Sequence, residues 1–119
     1  MKPKRQDRLG REIQRQLGEI FLSLSRDYDQ FKDKFLSVTG VKLTPDLLEA
    51  RAYISIYPSD NAQQVLEQIK AMKSQIRYLL GQRMSHIRRI PDLKFFLDDS
   101  LDYIEHIDNL LKKDKQDDN

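Results

Sequence analysis

The sequence predicts an α+β domain, a three-stranded sheet with helices packed on one face, in the order α-β-β-α-α-β-α. Three observations carry this. Apolar residues recur at helical spacing over residues 5 to 25, switch to period two from residue 35, and return to helical spacing after Pro58. Only three alternating runs occur along the chain, and Pro91 marks the entry to the third.

The first helix is read from Leu9, Ile13, Leu17, Ile20, Phe21 and Leu24, which form one stripe and leave most of the arginines off it. Gly18 within that stretch either costs about 1 kcal/mol relative to alanine or marks close packing against another backbone. Residues 26 to 34 read as a polar linker. Leu36 and Val38, then Val41 and Leu43, give the first strand, with Gly40 interrupting the alternation as a bulge does. Thr44-Pro45-Asp46 supplies turn chemistry, and Leu48, Ala50, Ala52, Ile54 and Ile56 alternate with polar and tyrosine positions to complete an antiparallel hairpin.

Pro58-Ser59-Asp60 ends the second strand and offers a helix N-cap. Val65, Leu66, Ile69 and Met72 then share a helical face that continues through Ile76, Leu79, Leu80 and Met84, with Ser74 where the helix bends or restarts. Beyond Pro91, Leu93, Phe95 and Leu97 point inward and Phe96 outward as a third strand. Asp98-Asp99-Ser100 provide capping chemistry for a last helix bearing Leu101, Ile104, Ile107, Leu110 and Leu111. The organisation expected is a single domain over residues 5–112, a flexible basic segment 1–4 and a disordered charged tail 113–119.

The chain has 119 residues, 39% of them hydrophobic and 34% charged, which suits one modest core beneath a heavily solvated surface. It contains no cysteine, so disulfides, thiol nucleophiles and cysteine-based zinc sites are excluded. Apolar runs are short and the basic N-terminus lacks a signal-peptide core, which suggests a cytoplasmic protein. His86 and His106 fall on different predicted helices without a third ligand at metal spacing, and the four glycines form no phosphate-binding fingerprint. Asp98 and Asp99 are better explained by capping than by acid-base catalysis. These features predict a protein without catalytic residues, metal, cofactor or small-molecule substrate.

The net charge of +2 conceals a polarised distribution. Residues 1 to 15 carry Lys2, Lys4, Arg5, Arg8, Arg11 and Arg15 against Asp7 and Glu12, and residues 76 to 90 carry Arg77, Arg83, Arg88 and Arg89 with no acid. From Asp98 onward eight acids face three lysines. Two basic clusters, linked by the outward tyrosines Tyr53 and Tyr57, favour an RNA face on which phosphates take the arginines and bases stack on aromatics. A membrane-surface helix is disfavoured because the apolar stripe is needed to cover the sheet and lacks tryptophan.

Residues 88 to 100, RRIPDLKFFLDDS, resemble the signature of the ribosome-binding factor A family, with Arg89, Pro91, Leu93, Phe95, Asp98 and Ser100 in register. Residues 8–23, 38–57 and 76–84 are similar to that family's basic first helix, strand-turn-strand and later helix. The resemblance implies a type II KH-like fold without enzymatic activity. It also implies binding to the small (30S) ribosomal subunit during its maturation, with roles in 16S rRNA processing and cold adaptation. The GxxG loop of ordinary KH domains is missing, and the family's Ala-x-Gly helix interruption corresponds here to Met72-Lys73-Ser74. The candidate RNA contacts are therefore Arg5, Arg8, Arg11, Arg15, Lys73, Arg77, Arg83, Arg88 and Arg89, while Pro91, Leu93, Phe95, Asp98 and Ser100 are structural. The expected partner is the small subunit or its precursor, bound by a monomer and not involving a membrane. A free-standing KH-like binder of single-stranded RNA is the alternative, and an adaptor using the acidic end is a third reading.

Overall fold

The stripe of Ile13, Leu17, Ile20, Phe21 and Leu24 lies fully buried along one side of a long helix, α1 (Arg5–Asp27), as amphipathic spacing requires. The computed structural model describes residues 5–98 of the chain. After α1 come the strands β1 (Phe35–Leu43) and β2 (Glu49–Tyr57), the helices α2 (Ala62–Ala71) and α3 (Lys73–Arg83), and the strand β3 (Asp92–Leu97). This is the α-β-β-α-α-β part of the expected order. The expected last helix, Ser100 and the terminal segments 1–4 and 113–119 lie outside the described residues.

β1 and β2 pair antiparallel, with Phe35 opposite Tyr57 and Leu43 opposite Ala50, and the register shifts between Val38 and Gly40 where the alternation breaks in the sequence. β3 pairs parallel to β2, Leu93 beside Ala50 and Phe95 beside Ala52, so the sheet order is β1-β2-β3. Parallel neighbours need a crossover, which α2 and α3 supply. Leu36, Ala50, Ala52, Ile54, Ile56, Leu93 and Phe95 bury their side chains in one core with α1, α2 and α3. Across the sheet's other face Tyr53 and Phe96, partners in register, stack with ring centroids 5.5 Å apart.

Four local expectations are corrected. The linker 26–34 holds a 3-10 turn, Asp29–Phe31, that drives Phe31 fully into the core; the Tyr28 hydroxyl, in turn, accepts a 2.6 Å hydrogen bond from Gln75. α2 begins after Asn61 rather than Asp60, and its start has no side-chain cap. The break between α2 and α3 falls at Met72 (φ −96°, ψ 13°), within the Met72-Lys73-Ser74 stretch where an interruption is expected, but Ser74 lies inside α3 and does not cap it. Leu48 belongs to the turn and is 49% exposed instead of joining the inward row.

Gly18 meets open space, whereas Gly10 marks the close approach of helix to strand: a β carbon there would stand 3.0 Å from the Val41 carbonyl oxygen. Asp98 ends β3 by donating its N–H to the Ile54 carbonyl (2.7 Å), and its carboxylate accepts the Thr39 hydroxyl across the sheet. The helix it was expected to cap lies outside the described residues.

Candidate nucleic-acid interface

On α1, residues 5, 8, 9 and 12 share a stripe beside the core stripe, which turns Arg5, Arg8, Leu9 and Glu12 toward the same side. They face the turn between β1 and β2. Thr44-Pro45-Asp46-Leu47 closes with a 2.8 Å hydrogen bond from the Leu47 N–H to the Thr44 carbonyl, and Leu47 adopts φ 63°, the left-handed region that side chains other than glycine seldom occupy. Asp46 holds the turn by accepting the Thr44 hydroxyl (2.6 Å) and the Leu48 N–H (3.1 Å). Those two bonds, the hydroxyl first, keep its carboxyl below the usual carboxylate range.

The third wall is the segment between α3 and β3, pinned at four points. Met84 is buried in the core, and His86 Nε2 lies 3.0 Å from Glu12 Oε1 on α1. Arg77 on α3 donates to the Ile90 carbonyl (2.8 Å) and the Pro91 carbonyl (3.3 Å). The Asp92 N–H then donates to the Leu48 carbonyl (2.9 Å) in the hairpin turn. Between these anchors Arg88 and Arg89 project beside α1.

The result is a cavity of about 510 Å3 lined by Arg5, Arg8, Leu9, Glu12, Asp46, Leu47, Leu48, His86, Ile87, Arg88 and Arg89. Four permanently charged guanidinium groups outnumber two carboxylates, one facing His86 and the other spent on its own turn. Leu9, Leu47 and Ile87 pack against the core and form an apolar floor. Such a site favours an anion attached to an apolar or planar group.

The other candidate contacts are distributed differently. Arg11 and Arg15 flank Glu12 in a shallow depression on the adjacent face of α1. Arg83 bonds Gln16 (3.1 Å) and pairs with Glu19, tying α3 to α1. Lys73 pairs with Asp92 at 2.7 Å, and Arg77 is occupied by backbone carbonyls. Tyr57, expected to link the clusters, stands at the far end of β2, roughly 30 Å along the strand from Leu48. The basic segments meet directly over the apolar floor instead. Sequence reasoning missed that floor: Leu9 and Ile87 look like core residues, and no local motif signals a left-handed Leu47.

Fold and site together define a KH-like α+β domain with one arginine-rich end. The family model for ribosome-binding factor A matches residues 5–111, and the chain belongs to that family. The ribosome-binding factor A of Flavobacterium johnsoniae is 42% identical over 93% of this chain and 85% of its own length. The crystal structure of ribosome-binding factor A from Thermus thermophilus is similar at TM-score 0.65 and 22% identity, covering 79% of this chain and 97% of that one. Coordinates for the Thermus thermophilus factor, fitted into a cryo-electron microscopy map of a 30S complex, give TM-score 0.64 and 22% identity, with 79% and 96% coverage.

Proposed function

We propose that the protein is a non-catalytic assembly factor that binds the immature small ribosomal subunit in the cytoplasm and supports 16S rRNA maturation. The observation that carries this reading is the convergence of Arg5, Arg8, Arg88 and Arg89, from distant parts of the sequence, at one end of the fold. Membership of the ribosome-binding factor A family and the 30S complex of the Thermus relative support the same partner. Phosphate contacts from these arginines, with Arg11 and Arg15 beside them, fix the protein on folded rRNA. Lys73, Arg77 and Arg83 contribute mainly by holding the scaffold.

A binder changes RNA structure only through different affinities for two conformations. In this reading the protein favours the rRNA arrangement that matures, and a tenfold preference corresponds to about 1.4 kcal/mol. The test is cosedimentation with precursor and mature small subunits. Retention on precursor particles, weaker on mature ones, is the expected result; equal affinity for short single-stranded RNA and for particles would count against it.

A further inference from the structure

We infer that the cavity between α1, the β1–β2 turn and the segment after α3 takes one unpaired nucleotide of the bound RNA, its base on the apolar floor and its phosphate on the arginine rim. This rests on the RNA-binding reading above and deepens it.

The lining argues for a base rather than a phosphate alone. Phosphate contacts need only cationic side chains, such as Arg11 and Arg15, whose shallow depression beside the cavity is lined by those two and Glu12 with no apolar residue. Here the cations surround a depression of about 510 Å3, within the size range of ligand pockets, whose floor of Leu9, Leu47 and Ile87 gains nothing from an ion. A paired base is stacked and unavailable to such a floor. An unpaired one can leave the stack, lie against aliphatic side chains and be covered by a guanidinium plane. An aliphatic peptide would suit the floor but not four arginines on the rim.

Leu47 joins the floor of the cavity at a cost in conformation. With φ 63° a glycine would be the relaxed choice, yet a leucine is present, packed against the core and lining the cavity. Leu48, half exposed, stands at the edge of the same cavity.

Two variants separate this site from general rRNA affinity. Leu47→Gly removes part of the floor while suiting the backbone, and Leu48→Ala trims the edge without adding a charge beside the rim; neither changes an arginine. Full-length protein is bound to precursor small subunits, occupancy is matched by cosedimentation, and base edges are probed with dimethyl sulfate and a carbodiimide. The expected result is at least one unpaired base protected about tenfold by the parent protein and reactive again with both variants at equal occupancy. Identical base protection by parent and variants would overturn the inference and leave subunit binding intact. If the parent fails to cosediment at all, both readings fall. Titration with free adenosine and uridine 5′-monophosphates completes the test: weak, millimolar binding is expected, and saturation at micromolar concentration would reassign the cavity to a free nucleotide.

Discussion

Gly10 on α1 faces the Val41 carbonyl oxygen of β1 so closely that a β carbon at position 10 would lie 3.0 Å from it. The contact sets the distance between the long helix and the sheet, and through it the position of Arg5 and Arg8 over the hairpin turn. Val41 is itself paired with Ala52, so its carbonyl has little freedom to move.

Opposite outcomes are expected at the two α1 glycines. Gly18→Ala meets no neighbour and should stabilise the fold by about 0.5–1 kcal/mol through helix propensity and the unfolded chain. Gly10→Ala gains the same propensity term but forces apart a helix and a paired strand, at an overpacking cost of about 1–3 kcal/mol, so a net loss is expected. Urea titration of both variants decides the matter; stabilisation by Gly10→Ala would show that the helix and strand can separate freely.

Phe95 anchors the other side of the core. It is 4% exposed and packs its ring 6.3 Å from that of Phe21, joining β3 to α1. Phe95→Ala should cost about 3–5 kcal/mol, the range for truncating a buried aromatic. Phe96, on the opposite face and 42% exposed, should tolerate the same change with a smaller loss. Comparable losses at the two positions in a denaturant titration would contradict the inward-outward assignment.

Much of this architecture is legible in sequence because period and burial coincide. The Gly40 irregularity, the inward row of Leu93 and Phe95 and the α1 stripe follow from side-chain alternation alone. What escapes is non-local. Phe31 sits among charged residues and is buried by a short turn that no periodicity announces. Nothing around Gly10 or Gly18 in the chain tells which one faces a carbonyl. Arg77 looks like a surface cation, yet its guanidinium holds the backbone that presents Arg88 and Arg89. The candidate site was thus readable as charge, while its apolar floor and supports required the fold.

Asp92 provides an acid-dependent contact at the entry to β3. The hydrogen bond from Lys73 is the main cause of a carboxyl held below the usual carboxylate range; burial opposes it, and the charges of Lys73, Lys94 and Arg77 add to the lowering. A carboxyl depressed in the folded state contributes stability that is present above its unfolded pKa and is lost as pH falls through the folded one. Asp92→Asn should therefore be less stable than the parent at neutral pH, with the gap closing below the ordinary carboxylate range. The partly exposed pair makes the effect small. Urea titrations of both proteins across acid pH measure it, and a gap independent of pH would assign the effect to packing instead.

The arrangement of cations gives a quantitative expectation for binding. Arg5, Arg8, Arg88 and Arg89 line one cavity and Arg11 and Arg15 adjoin it, whereas Arg83 pairs with Glu19 and Arg77 with backbone carbonyls. If about five of the six arginines at that end contact phosphate, log affinity for precursor subunits should fall with log salt at a slope near −4, at roughly −0.7 to −0.9 per contact. Arg88→Ala with Arg89→Ala should make the slope shallower by about 2, and Arg8→Ala with Arg11→Ala by a similar amount. Arg83→Ala, which removes a tertiary tie and no phosphate contact, should leave the slope in place even if it lowers stability. Each variant is first shown to be folded, then titrated by cosedimentation at several salt concentrations. A slope that changes for Arg83→Ala but not for Arg88→Ala with Arg89→Ala would move the interface from the α1 end of the fold to α3, and with it the account of why these segments converge.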